Sequence, residues 1–271
     1  MIKAAVLGSP ISHSLSPILH RTAYSQLKIV GEYSQYEVKA GQLQSFLDTH
    51  LDLNALSLTM PLKEEALRLS YQVSELARQI SSGNTMYKVD DQWHLTSTDV
   101  AGFKYALESN STKLSGNILL IGAGATARAI AAACDGISRE IHIILRNPVR
   151  EQLIKAAAPN SEIIFHPWQK NELINTADLV VNTTPGTAAD FFIDSVVHPV
   201  GSFFEVLYYP MPTKLILKWQ EFEAPTIDGI ELLVQQAISQ IEIFSGVQVD
   251  RIQLSTVMRK AALAALIQRS R

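Results

Sequence analysis

The sequence predicts an α/β protein of two domains, the second built on a parallel, doubly wound sheet. Three observations predict it. The 271 residues suit two domains of ordinary size. Apolar, strand-like runs alternate with helical stretches along most of the chain, the rhythm of parallel strands joined by crossover helices. A loop of small residues, Ile121-Gly122-Ala123-Gly124-Ala125-Thr126-Ala127, closes one strand and opens an alanine-rich helix.

In the first half, residues 2–7 form an apolar run that stops at Gly8-Ser9-Pro10, a strand followed by a turn. Ser16-Pro17 opens a helix through about residue 27, with Ser16 as N-cap and Pro17 at the first helical position. A second strand is expected over 37–40 and an amphipathic helix over 42–49. A third strand over 54–60 ends at Pro61, and a helix resumes over 63–70. Residues 85–89 and 93–97 read as a hairpin around Asp90-Asp91.

The second half is more regular. Strands are expected over 117–121, 140–145, 161–165, 179–182 and 202–207. Helices are expected over 126–133, 151–158 and 214–221. From about Ile230 two helical segments follow, broken at Gly246.

Composition narrows the function. Twenty-three basic and 26 acidic residues leave a net charge of −3, which does not suggest a nucleic-acid-binding surface. A single cysteine, Cys134, excludes an internal disulfide and a thiolate metal cluster. The seven histidines show no paired metal-ligand spacing, so no metal site is expected. No apolar stretch approaches a membrane span, and the N-terminus lacks a secretory pattern, so a cytoplasmic protein without a membrane partner is expected.

Gly122, Gly124 and Ala127 fit G-x-G-x-x-A directly after a strand. Small residues there let the backbone approach a pyrophosphate, and the helix N-terminus offers free N–H groups to it. The next strand ends Leu145-Arg146-Asn147, with Arg150 a turn later, and no carboxylate stands where NAD-binding chains place one. Two guanidiniums suit a ribose 2′-phosphate, so the cofactor expected is NADP.

Further stretches lie in a telling order: GSPISHSLSPILH from Gly8, LSLTMPLK from Leu56, SGNT from Ser82, TSTDVAG from Thr96, NTTPG from Asn182, EVLYYPMPT from Glu205 and DGIELLVQQA from Asp228. Together with the glycine loop they resemble the shikimate dehydrogenase family, from Gly8 to about Gly246. The resemblance implies a substrate domain over 1–98, a Rossmann-like NADP domain over 99–228, and C-terminal helices over 229–271 that pack back on the first domain. It implies reversible NADPH-dependent reduction of 3-dehydroshikimate to shikimate, a step toward chorismate and the aromatic amino acids, by a monomer or homodimer.

By the same resemblance, Lys63 and Asp99 are the catalytic pair. Ser14 and Ser16 hold the substrate carboxylate, and Ser57, Thr59, Asn84, Tyr208 and Gln236 line the substrate. Gly122, Ala123, Gly124, Ala125, Arg146, Asn147, Arg150, Thr183, Leu207 and Gly229 surround the cofactor. Some positions depart from the family pattern. Ser57 stands where the family usually has a substrate-binding Asn, Ser97 replaces an Asn before Thr-Asp, and Ala125 replaces a common third Gly. Leu145 and Asn147 replace the outer residues of Asn-Arg-Thr, and Thr187 stands where a Gly-Met pair is usual.

The chemistry asked of these residues is simple. Reducing a ketone needs a proton donor opposite the hydride donor, and a lysine ammonium held by a carboxylate can serve. By residue type alone, Lys63 reads instead as a solvated lysine at a helix start and Asp99 as an N-cap. His13 and His20 read as structural or surface residues, and Trp93, Trp168 and Trp219 as packing residues. The rival functions are a quinate/shikimate dehydrogenase using NAD and a non-catalytic NADP-binding regulator on the same fold.

Overall fold

The structure, a computed structural model, describes residues 1–269. In chain order it begins with β1 (Ile2–Gly8), α1 (Ser16–Leu27), β2 (Gly31–Glu37), α2 (Leu43–Thr49), β3 (Ala55–Leu58) and α3 (Leu62–Leu69). Then come β4 (Gln72–Val73), α4 (Glu75–Gln79), β5 (Thr85–Val89), β6 (Gln92–Thr96) and α5 (Asp99–Ser109). The regular βα portion has β7 (Asn117–Ile121), α6 (Ala125–Cys134), β8 (Glu140–Leu145), α7 (Glu151–Ala157), β9 (Ile163–Pro167), α8 (Leu173–Thr176) and β10 (Leu179–Asn182). It ends with β11 (Ser202–Glu205), α9 (Lys214–Gln220) and β12 (Thr226–Ile227), before α10 (Gly229–Ser245) and α11 (Arg251–Arg269).

The chain divides into two compact units. One is Met1–Gly102 together with the described residues from Leu233 on, and the other is Phe103–Leu232. These divisions fall four residues beyond the expected 98/99 and 228/229 boundaries, within helices α5 and α10.

The first unit holds a six-stranded sheet in the order β2-β1-β3-β5-β6-β4. It is mixed: β1 pairs in parallel with β2 and β3, whereas β5 runs antiparallel to both β3 and β6. The antiparallel part follows from the hairpin at Asp90 and Asp91, which both take positive φ, 49° and 59°, the requirement of a tight two-residue turn. Leu7, Leu56, Leu58, Leu62, Met86 and Leu95 make the centre of the core on one face. Each fully buried leucine contributes roughly 2 kcal/mol of transfer free energy.

The second unit is an all-parallel six-stranded sheet in the order β12-β11-β10-β7-β8-β9. This is the doubly wound dinucleotide-binding order, with the switch point between β7 and β10. Leu119, Ile121, Ile144, Val180 and Phe203 are buried with Phe192 and Trp219, whose indole N–H donates to the Gly201 carbonyl at 3.1 Å.

Two local expectations are corrected. The strand after α1 covers Gly31–Glu37 rather than 37–40. Its apolar signal is only Tyr33 and Tyr36 among polar residues, and pairing with β1, not hydrophobicity, defines it. Ser16 is not the N-cap of α1: it is the first helical residue, Leu15 precedes it, and no side chain caps the helix. The Ser16 N–H instead reaches the Ser14 hydroxyl at 3.3 Å. The short elements β4, α4, α8 and β12 fall below the length at which periodicity is readable. No helix among the described residues is long and apolar enough to cross a membrane.

Candidate active site

In the first unit, the chemistry gathers where β3 and β6 end and β5 begins. Pro61 stops β3's continuation, α3 starts at Leu62, and Lys63 lies in its first turn. Asp99 opens α5 just after β6. The Lys63 ammonium donates to Asp99 Oδ2 at 2.6 Å, and the two side chains are only 15% and 8% exposed. Lys63 is therefore not a solvated lysine. Nor does Asp99 cap its helix: its carboxylate goes to Lys63 and to Asn84, whose amide donates to Asp99 Oδ1 at 2.8 Å.

Asn84 is the hub of this cluster. Its Nδ2 also reaches Thr98 Oγ1 (3.0 Å) and Gln236 Oε1 (3.2 Å), and its Oδ1 accepts from the Thr98 N–H (2.8 Å) and the Thr85 hydroxyl (2.7 Å). A buried amide tied on both ends has one orientation, and so does the carboxylate it holds. Gln236 is brought there by α10, which packs against Gly102: a Cβ at Gly102 would lie 2.8 Å from the Gln236 backbone nitrogen. The Gln236 amide donates to the Leu233 carbonyl at 2.8 Å.

The remaining candidates of this unit differ in how much hydrogen-bonding capacity is left. The Thr59 hydroxyl is partly exposed and engages no partner among the described residues. Ser57 is buried and committed: it accepts from the Tyr33 hydroxyl at 2.6 Å and donates to Gln240 Oε1 at 2.7 Å. Ser14 and Ser16 are buried at the start of α1. Arg269, near the end of α11, donates to the carbonyls of His13 (2.6 Å) and Ser14 (3.2 Å), tying that loop down. His20 is wholly buried and stacked on Tyr33 at 4.0 Å. Burial, only partly opposed by its contact with Gln240, pushes its pKa down to about 3, so the ring is neutral.

In the second unit, Gly122 follows β7 with φ +110°, and a Cβ there would sit 2.5 Å from Thr183 Oγ1. Only glycine lets the β7 and β10 loops approach so closely. Gly124 caps α6, and a Cβ on it would meet only the Arg150 guanidinium at 3.7 Å. Open space over a helix N-terminus lined by Ala123 and Ala125 suits a pyrophosphate. Arg150 Nη1 leans over that loop, 3.4 Å from the Ala123 carbonyl.

Arg146, exposed beyond the end of β8, has its guanidinium carbon 4.2 Å from the centre of the Trp168 ring. Its N–H groups have no partner among the described residues, so they remain available to an anion. Asn147 accepts the Val149 N–H at 3.1 Å, a local turn role. The Thr183 hydroxyl donates to the Ile121 carbonyl at 2.9 Å. Leu207 and Tyr208 are half-buried just after β11, and Gly229 lies against Val206 and Leu207.

Sequence reasoning missed four residues. Glu205 is fully buried; it accepts from Asn182 Nδ2 at 2.9 Å, the Leu207 N–H at 3.1 Å and the Thr213 hydroxyl at 2.9 Å. It thereby joins the ends of β10 and β11; burial raises its pKa and those donors pull it back. Gln240 could have been found from its spacing to Gln236 on one helix face. Trp168 and Arg269 carry no sequence signal for the partners they make. Among the described residues no group of His, Cys, Asp and Glu forms a metal cluster.

Comparison with known proteins gives a consistent picture. Residues 6–86 match the family model described as the shikimate dehydrogenase substrate binding domain. The NADP(+) shikimate dehydrogenase of Archaeoglobus fulgidus is 33% identical over 276 residues, covering 98% of this chain and 99% of that one. That of Nostoc sp. is 31% identical over 281 residues, covering 96% of each. Among solved structures, Mycobacterium tuberculosis shikimate dehydrogenase superposes with a TM-score of 0.87 at 27% identity, covering 98% of this chain and all of that one. The Thermus thermophilus enzyme in complex with NADP(H) and shikimate gives 0.84 at 27%, covering 96% of this chain and 100% of that one.

Proposed function

The chain belongs to the shikimate dehydrogenase family, and on that premise we propose that its Lys63–Asp99 pair carries the proton in the reversible NADPH-dependent reduction of 3-dehydroshikimate to shikimate. The observation that carries this reading is the 2.6 Å ion pair, buried and held from its far side by Asn84. NADPH, when bound, would supply the hydride, and NADP+ would take it back in the reverse direction. Every other part of the chemistry is the chain's own.

Lys63 donates to the ketone oxygen as charge develops there, and takes the proton back in the reverse direction. Asp99 keeps the ammonium in one position and stabilises its charge. Asn84 and Gln236 fix Asp99, and the uncommitted Thr59 hydroxyl binds a ring hydroxyl. Ser14 and Ser16 bind the substrate carboxylate at the start of α1. The loop from Gly122 to Ala125 holds the pyrophosphate, Arg146 and Arg150 the 2′-phosphate, and Thr183, Leu207, Tyr208 and Gly229 the nicotinamide side.

The compartment proposed is the cytoplasm, with the enzyme a monomer or homodimer; the free, buried Cys134 thiol is compatible with a reducing environment. The test is NADPH oxidation with 3-dehydroshikimate, run beside quinate with NAD. Turnover with the first pair at a far higher kcat/KM supports the reading. Preference for quinate and NAD replaces it with the broader dehydrogenase, and no turnover of either leaves a binding protein.

A further inference from the structure

Behind the proposed substrate contacts of the first unit lies a second layer of buried polar groups that the mechanism above does not use. Its centre is Gln240, 1% exposed and one helical turn beyond Gln236 on α10. Each polar atom of its amide is engaged. Nε2 donates to the Asn84 carbonyl at 3.0 Å and to Thr85 Oγ1 at 3.0 Å. Oε1 accepts from Ser57 Oγ at 2.7 Å and faces His20 Nε2 at 3.3 Å. Because the amide oxygen can only accept, the neutral His20 ring meets it with its Nε2–H.

A flipped amide would aim its oxygen at the Asn84 carbonyl and its NH2 at the Ser57 and His20 donors. The side chain is therefore locked in one orientation. This lock reaches the site along two routes. Through Ser57, whose other bond comes from Tyr33, it fixes the hydroxyl and spends its proton. Through Asn84 and Thr85, it fixes the end of β5 from which Asn84 holds Asp99. Ser57 and Gln240 are also complementary in size: a short hydroxyl on β3 leaves the room that a long amide from α10 fills, in a place where Ser57 is only 5% exposed.

We infer that Gln240 and Ser57 act as one specificity-determining unit. Gln240 is a positioning residue that sets the floor of the substrate pocket through Ser57 and the Asn84–Thr85 strand end, and the identity of residue 57 is tolerated only in combination with Gln240. This rests on the proposed placement of the substrate beside Thr59 and Asn84.

The test is steady-state kinetics with shikimate and NADP on four folded variants. Gln240→Met keeps the shape and removes the amide. It should raise KM for shikimate about tenfold, the loss of a buried hydrogen-bond partner, with kcat within a few-fold and KM for NADP unchanged. Ser57→Asn alone should be impaired, because a carboxamide has no room beside Gln240. Ser57→Asn/Gln240→Ala should recover much of that loss. Thr59→Val, which removes the uncommitted hydroxyl, reports on the substrate placement itself.

An unchanged KM in Gln240→Met with a raised KM in Thr59→Val overturns this inference alone. Unchanged KM in both overturns the substrate placement as well. If Gln240→Met does not fold, the paired variant decides: a double variant no better than Ser57→Asn overturns coupling, and a better one supports it.

Discussion

Lys63 and Asp99, 36 residues apart in the chain, meet at 2.6 Å. Asp99 gives its other oxygen to Asn84, so a carboxylate at the start of α5 joins the first turn of α3 to the loop before β5. Removing the charge of Asp99 leaves the ammonium without its counter-charge in a mostly buried place. Asp99→Asn should therefore lower kcat by about two orders of magnitude. Combined with Lys63→Ala it should cost little more than either alone, since both serve one proton transfer. Additive losses in kcat would mean that the two residues act separately.

Arg146 should decide the cofactor. Its guanidinium carbon lies over the Trp168 ring at 4.2 Å, and its N–H groups have no partner among the described residues. Arg146→Ala should weaken NADPH binding by about 2–3 kcal/mol, as expected for losing one partner of a charge-assisted pair. NADH binding should be nearly unchanged. Trp168→Leu should weaken NADPH only a few-fold, the scale of an exposed cation–π contact. Fluorescence titration with both dinucleotides separates these outcomes, and equal losses for NADPH and NADH would remove Arg146 from the 2′-phosphate.

These first two sets of residues mark how far the sequence could be read. The glycine loop after β7 and the alternation of strands and helices behind the second, doubly wound sheet were legible because each depends on local spacing. Lys63 and Asp99 were assigned by resemblance, since a lysine at a helix start has no local signature of its partner. Gln240 shares a helix face with Gln236 in the sequence, but the contacts of Gln240 and Arg269 were not legible. Their partners lie 183 and 256 residues away in the chain, Ser57 and His13 respectively, and only the packing of the C-terminal helices brings them together. The Ser16 cap failed for a smaller reason: the turn before α1 lets Ser14, two residues earlier, reach the backbone N–H of Ser16.

That correction moves an expected effect. The stability cost of about 1 kcal/mol for a lost N–H acceptor belongs to Ser14→Ala rather than Ser16→Ala. Both variants should raise KM for shikimate while sparing NADP affinity. Arg269→Gln, which frees the His13 and Ser14 carbonyls, should raise the same KM by a smaller factor. Urea unfolding together with initial rates checks all three, and an unchanged shikimate KM in both serine variants would leave Ser14 and Ser16 as purely structural residues.

His20 sets part of the acid limit. In the folded protein its imidazole stays neutral down to about pH 3, against an ordinary value of 6.5. Between those values the unfolded chain binds a proton that the folded one does not, so stability falls as pH drops from 6.5 toward 3. One such group contributes roughly 1 kcal/mol per pH unit. His20→Phe should be less stable at pH 7, where it leaves Gln240 short of a donor. Its stability should also fall less steeply than the parent's between pH 6.5 and 4. Parallel curves for the two proteins, from denaturant midpoints at several pH values, would show that His20 is not the source.

The central claim is that Lys63 moves the proton. The most direct measurement is kcat for 3-dehydroshikimate reduction by Lys63→Met, with folding verified by circular dichroism and by retained NADPH binding. The methionine keeps the unbranched stem and removes the ammonium. A positioned acid is worth about 10²–10⁴-fold, so kcat should fall by that factor while KM changes much less. A kcat within a few-fold of the parent would contradict the assignment and leave the 2.6 Å pair with Asp99 as structure rather than catalysis.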